Sequence, residues 1–177
     1  MIDLIPVKHT DKERLGFIER VYTEAFPIDE RREFREVKNL LVSAPAFHLT
    51  GIESEGNMAG MISYWEWDGL AYVEHFAIDE RYRGGGFGGE TLKRLLSMLP
   101  VPVVLEVERP EDDISRRRIG FYERLGFRLW LRPYVQPPYD KNRRSLDLLL
   151  MTYGDIDLSQ DFTRVRDIIY REVYGVE

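Results

Sequence analysis

The sequence predicts an α/β fold of the α+β type, with a single mixed, mostly antiparallel sheet flanked by helices. Three observations carry that expectation. Strand-like and helix-like runs follow one another in the order β, α, α, three meandering strands, α, β, α, two strands, α, which is not the strict alternation of a parallel βαβ array. Two tight-turn signals, Ser54-Glu55-Gly56-Asn57 and Asp68-Gly69, join three of the strands. A β-branched and aromatic strand, Ala71–Ile78, runs into a glycine-rich turn and then a helix whose Leu92, Leu95, Leu96 and Leu99 share one face.

In chain order, Ile2 to Val7 reads as a short first strand ended at Pro6. Thr10-Asp11-Lys12-Glu13 fits a capping box, threonine with glutamate three residues on. The helix it opens lines Leu15, Ile18, Val21, Tyr22 and Ala25 along one side, and Pro27 ends it. A second helix follows on Phe34, Val37, Leu40 and Leu41. Arg31, Arg32, Arg35 and Lys38 read as its solvated face. Phe47–Glu53 and Met58–Trp67 are antiparallel strands. After the leucine helix, Pro100 is a stop and Val101–Glu108 is a strand that buries Val103, Leu105 and Val107 and turns Glu106 and Glu108 the other way. Ser115–Leu125 is a helix closed by Gly126. Phe127–Leu131 and Leu146–Tyr153 are strands joined through a proline- and tyrosine-rich loop, Arg132–Tyr139. Leu158–Tyr174 is an amphipathic helix on Phe162, Val165, Ile168, Ile169 and Val173. No repeat or linker interrupts the 177 residues, so one domain spanning 1–177 is expected.

Composition narrows the function. Hydrophobic residues are 44% and charged residues 32%, as in a water-soluble globular chain. The formal net charge of −6 disfavours a nucleic-acid partner and leaves room for a cationic one. There is no cysteine for a disulfide, a nucleophile or a thiolate metal site. His9, His48 and His75 are too scattered for metal-ligand spacing, so no metal is expected. Neither a signal peptide nor a membrane-length apolar run is present, which points to a cytoplasmic protein without a membrane partner.

The turn Arg83-Gly84-Gly85-Gly86-Phe87-Gly88-Gly89 carries the chemistry. Five glycines in six positions cost backbone entropy and make sense where the main chain must come close to a ligand. Feeding a helix start, with its unpaired N–H groups and positive dipole end, such a turn is a site for phosphate or pyrophosphate. It lacks the glycine spacing and distal acid of a dinucleotide fold and the Lys-Ser/Thr ending of a P-loop, since Gly89-Glu90-Thr91 stands there. The spacing Arg-x-x-Gly-x-Gly at Arg83, Gly86 and Gly88 resembles the acyl-CoA pyrophosphate signature of the GNAT superfamily of N-acyltransferases. Some forty residues on, Ile119-Gly120-Phe121-Tyr122-Glu123-Arg124-Leu125-Gly126-Phe127 is similar to that family's other conserved segment, an aromatic-tyrosine pair, three residues, then Gly-Phe. The order of elements agrees with the family over nearly the whole chain, and the helix from about Leu158 to the end goes beyond its common core.

The resemblance implies an N-acetyltransferase that moves an acetyl group from acetyl-CoA to a primary amine, by direct attack and without a metal. It places Arg83, Gly84, Gly85, Gly86, Phe87, Gly88 and Gly89 on the pyrophosphate, and the backbone of Phe76, Ala77 and Ile78 along the pantetheine arm, where a strand edge is left open. Many relatives carry an asparagine where this chain has Ser115, a shorter cofactor contact, and an alanine where it has Arg118. Tyr122 is implied beside the thioester sulfur, where a phenol that stays protonated can donate to the leaving thiolate. An alkylammonium has a pKa of about 10.4, so deprotonating it near neutrality costs about 4–5 kcal/mol and a base is needed. Glu74 comes first, because acids often occupy that point of the strand in the resembling family. Glu106 is second and His75 third. Against these stand a Glu74 merely paired with a cation, a Glu106 on an exposed face and a His75 packed in the strand. The acceptor would lie between Phe26–Glu33 and Tyr134–Tyr139. Its identity, small molecule or peptide, stays open, as does the choice between monomer and homodimer. The alternative reading is a non-catalytic acyl-CoA-binding or sensing module on the same fold.

Overall fold

A computed structural model describes residues 1–177. Its elements are β1 (Ile2–Pro6), α1 (Lys12–Ala25), α2 (Phe34–Ser43), β2 (Phe47–Ser54), β3 (Asn57–Trp67), β4 (Leu70–Ile78), α3 (Phe87–Met98), β5 (Val103–Glu108), α4 (Asp113–Arg124), β6 (Arg128–Gln136), β7 (Leu146–Tyr153) and α5 (Leu158–Ile169). The seven strands form one open sheet in the order β1-β2-β3-β4-β5-β7-β6. Every neighbouring pair is antiparallel except β4 and β5, which α3 connects as a crossover. The mixed, mostly antiparallel sheet expected from the sequence is the one observed.

The helices divide between the two faces. Leu15, Ile18 and Tyr22 of α1, Phe34 and Val37 of α2, and Phe162, Val165 and Ile169 of α5 pack on one face, against Leu49, Met61, Tyr72 and Val104. Leu92, Leu95 and Leu96 of α3 and Ile119 of α4 pack on the other, against Ile62, Val73, Leu105 and Met151. Strand β5 is central and buried on both sides, which is why Val104 is as buried as the odd-numbered valines.

Several local expectations are corrected. Helix α1 is capped by Asp11, whose carboxylate accepts from the Arg14 N–H at 3.1 Å, and not by Thr10; a charged acceptor is available one residue closer, and the Arg14 side chain pairs with it as well. Arg32 is not on a solvated face. It precedes α2, beyond a 3₁₀ turn at Ile28–Glu30, and only 9% of it is exposed. The segment 132–136 is not loop but the second half of β6; Pro133 is tolerated because the pairing with β7 skips between Trp130 and Tyr134 on an edge strand. A 3₁₀ turn at Glu80–Tyr82 separates β4 from the glycines, and α3 already begins at Phe87. The last helix ends at Ile169 and continues as a π-helical turn, Tyr170–Tyr174. No helix is long and apolar enough to cross a membrane.

Candidate active site

The sheet opens in its middle. β4 and β5 pair for only three residues, Ala71–Val73 against Val103–Leu105. The next residue, Glu74, has no partner on β3, because the register shifts between Ser63 and Tyr64. A bulge bends its strand and adds twist, so β4 swings away from β5 from that point. Gly60 allows β3 to follow: a Cβ there would stand 2.4 Å from the Ala77 carbonyl oxygen. On the far side of Glu74 the Asp79 N–H donates to Ala59 O across β3. By strand alternation, the main-chain groups of Phe76 and Ile78 then face the gap. A cavity of about 490 Å³ fills the gap, with Glu74–Ile78 on one wall, Leu105–Glu108 on the other, and Tyr122 and Arg118 of α4 beside it.

One end of this cavity is marked by Arg83, and the glycine turn follows it in the chain without lining the cavity; Gly86 and Gly89 border a separate pocket with Lys93, Phe121 and Arg124. Gly86 caps α3 with φ +78°, a left-handed conformation that favours glycine. None of the six N–H groups from Gly84 to Gly89 donates to a backbone or side-chain acceptor, and no side chain caps the helix. Arg83 is exposed; its Nε donates to Ile78 O at 3.0 Å, which holds the guanidinium at the cavity rim. The Tyr122 phenol also lines the cavity and makes no hydrogen bond within the protein; burial pushes its pKa up to about 12, so it stays protonated.

The other end is built from buried carboxylates. Glu74 accepts from Arg32 Nη2 at 2.8 Å, Arg32 Nε at 3.1 Å, Trp65 Nε1 at 2.7 Å and Tyr139 Oη at 2.9 Å. Its side chain is 1% exposed. Burial is the largest influence and works to raise its pKa, but the Arg32 guanidinium, His75 and the Trp65 and Tyr139 donors together outweigh it and hold the carboxyl below its ordinary value. Glu106 has no such cation. It accepts from Tyr134 Oη on Oε1 and from Tyr174 Oη at 3.1 and 3.0 Å on its two oxygens. Burial pushes its pKa up to about 7, and the phenol donors only partly counter that. The even-numbered side of β5 is therefore not an exposed face at this position.

His75 is packed edge-on against Tyr22 and Phe26, and its Nε2 donates to Glu30 O at 2.8 Å. Burial lowers its pKa and keeps the ring neutral. Ser115 does not line the cavity. It is buried at the start of α4, its N–H is capped by Asp112, and its hydroxyl lies 2.8 Å from Asp112 Oδ1 and 3.1 Å from Glu108 Oε2. The reach expected of it toward a cofactor is directed inward instead. Ala25, Phe26, Pro27, Glu30, Gln136 and Tyr139 close the carboxylate end. The Glu30 carboxylate is half-buried, without a side-chain partner, and raised in pKa by burial and by Glu108.

The structure thus brings Glu74, His75, Phe76, Ala77, Ile78, Arg83, Glu106 and Tyr122 to one cavity, leaves Ser115 out, and sets Gly84 to Gly89 beyond its lining, with Gly86 and Gly89 on a separate pocket. The carboxylates are held by Arg32, Trp65 and Tyr139 and by Tyr134 and Tyr174; of these, the sequence placed Arg32 on a solvated face and Tyr134 and Tyr139 in an acceptor loop, and it gave no role to Trp65 or Tyr174. The free amides, the open strand edge and the unpartnered phenol fit a long, diphosphate-bearing thioester. No three His, Cys, Asp or Glu side chains converge as metal ligands.

The sequence model of the acetyltransferase (GNAT) family matches residues 14–127. A solved structure from Bacteroides thetaiotaomicron, assigned to the GNAT acetyltransferases, is 38% identical over 99% of both chains with a TM-score of 0.95. The ribosomal-protein-S18-alanine N-acetyltransferase of Escherichia coli shares the fold at 20% identity, with 86% of this chain and 93% of that chain covered and a TM-score of 0.64. Arabidopsis thaliana NAA60 in complex with acetyl-CoA does so at 19% identity, with 86% and 98% covered and a TM-score of 0.62. No curated protein sequence matches the chain.

Proposed function

The chain belongs to the GNAT acetyltransferase family, and from that premise we propose that it transfers an acetyl group from acetyl-CoA, the donor this family uses, to a primary amine. The observation that carries the reading is the run of six unengaged amides, Gly84 to Gly89, directly after Arg83, which lines the cavity between β4 and β5. These amides and Arg83 would hold the diphosphate, and the Phe76 and Ile78 main chain would hold the pantetheine arm. Acetyl-CoA supplies the activated acyl group. Tyr122 gives a proton to the departing sulfur, a role its raised pKa and free hydroxyl suit.

Glu106 takes the proton shed by the ammonium. It is favoured over Glu74 because a base is most effective with a pKa near the working pH, and Glu106 stands at about 7. Glu74 has four donors on it and a guanidinium keeping it ionised, so it serves to hold the wall of the cavity. The unpaired Glu30 at the carboxylate end supports a cationic amine as acceptor.

The test is CoA-thiol release from acetyl-CoA with a panel of alkyl monoamines, diamines, lysine and a peptide with a free N-terminus. Amine-dependent release is expected, falling about 100-fold or more in Glu106→Gln. Tight acetyl-CoA binding with no release for any amine would favour the non-catalytic module instead.

A further inference from the structure

The carboxylate end of the cavity depends on the last turn of the chain, which lies outside the residues matched by the family model. Helix α5 widens at Tyr170–Tyr174 into a π-helical turn that buries Val173 and Tyr174. Gly175, at φ +66°, ends it. Through this turn the C-terminal segment touches both carboxylate systems. Val173 O accepts from Arg32 Nη2 at 2.7 Å, and Tyr174 Oη reaches both oxygens of Glu106.

We propose that Tyr174 is a positioning residue for Glu106, fixing the orientation of the carboxylate and keeping it ionised so that it is ready to accept a proton from the acceptor amine. The inference rests on the assignment of Glu106 as the base. Glu106 forms no ion pair with any lysine or arginine, so hydroxyl donors are what offsets its burial. The groups facing it are Tyr134 from β6, Tyr72 and Glu74 from β4, and Tyr174 from the terminal turn. Arg32 is engaged by Glu74. Tyr174 has a single hydroxyl proton and two carboxylate oxygens at 3.1 and 3.0 Å, so that proton is directed at Glu106. Tyr72 Oη, 3.2 Å away and fully buried, then donates to the Tyr174 oxygen. Two phenols in series strengthen the last hydrogen bond by polarising it. Oε1 carries the Tyr134 bond as well, which leaves Oε2 the less engaged oxygen and the one to receive the proton.

The experiment follows the carboxyl carbon of Glu106 by NMR in protein labelled with ¹³C-carboxyl glutamate, its resonance identified by its loss in Glu106→Gln. In Tyr174→Phe the titration midpoint of Glu106 is expected to move up by about one pH unit, because a donor to the charged form is gone while burial remains. Tyr170→Phe is the control on the same turn: its hydroxyl bonds Val135 O and not Glu106, and the midpoint stays in place. An unmoved midpoint in Tyr174→Phe overturns the proposal. Should that variant not fold, 3-fluorotyrosine at position 174 keeps the ring and makes its hydroxyl a stronger donor, so the midpoint moves down if the proposal holds and stays in place if it fails. Full amine-dependent CoA release by Glu106→Gln overturns the base assignment and with it the role of Tyr174. Release lost in Glu106→Gln, together with an unmoved titration in Tyr174→Phe, overturns the role of Tyr174 alone.

Discussion

The glycine turn and the carboxylate end of the cavity are built on opposite principles. The glycine turn offers main-chain groups from one short run, exposed at Gly84 to Gly86, half-buried from Phe87 to Gly89 and bare of partners throughout. The carboxylate end offers side chains gathered from distant segments, buried and almost fully bonded to one another. The first is a mould whose shape comes from what is missing, namely side chains. The second is a network in which each member fixes the others. A ligand-holding surface can be written locally, whereas a tuned acid or base needs neighbours, and neighbours come from the fold.

That contrast can be broken most severely at Arg32. Arg32→Ala strands a buried, ionised Glu74 and is expected to cost about 3–5 kcal/mol of stability, a fall in Tm on the order of 10 °C by calorimetry. A variant with unchanged Tm would show the network to be dispensable. Tyr122→Phe removes the phenol proposed as proton donor. About a 100-fold drop in kcat is expected with acetyl-CoA affinity kept, as read by steady-state kinetics and titration calorimetry. At the glycine end, Gly89→Asp adds a side chain where a Cβ meets nothing within 4 Å, and puts a negative charge among the free amides. An acid in the first turn suits the helix, so Tm should hold or rise while acetyl-CoA affinity falls about tenfold. Glycine-to-valine at position 86 would be a poorer probe, since φ +78° would strain the fold itself.

A last effect is a pH-dependent one at Glu106. Its folded pKa of about 7 lies above that of an unfolded glutamate, so the fold disfavours the charged form. The penalty is absent below the unfolded pKa, grows as pH rises toward 7 and is constant beyond. Relative to the parent, Glu106→Gln should therefore gain stability between pH 4 and pH 7, by up to about 3 kcal/mol. Chemical denaturation at the two pH values measures the difference.

The same contrast explains what the sequence discloses. The glycine run, the leucine face of α3 and the Phe121-Tyr122 pair are contiguous or helically spaced, so residue order alone reveals them. The hairpins at Gly56 and Gly69 were legible for the same reason, both glycines standing at φ +77°. The Glu74–Arg32 pair joins residues 42 positions apart, and Glu106 meets Tyr134 and Tyr174 across 28 and 68 positions. Alternation along β5 separates two sides of a strand but cannot tell which side a distant helix will cover, so Glu106 reads as solvent-facing. Arg32 reads as surface for the same reason: among arginines clustered before and along a helix, only the folded chain picks out the one that turns inward.

The three-residue seam between β4 and β5 has a mechanical consequence. It is all the main-chain ladder that ties β1–β4 to β5, β7 and β6, so the sheet behaves as two stiff plates meeting at a narrow joint. Whatever lies along the open edge of β4 splices those plates together. If the proposed donor site is right, loading acetyl-CoA should slow amide exchange on both sides of the joint at once, at Phe76 and at Val107 alike, so that a tightened sheet becomes the physical mark of the loaded protein.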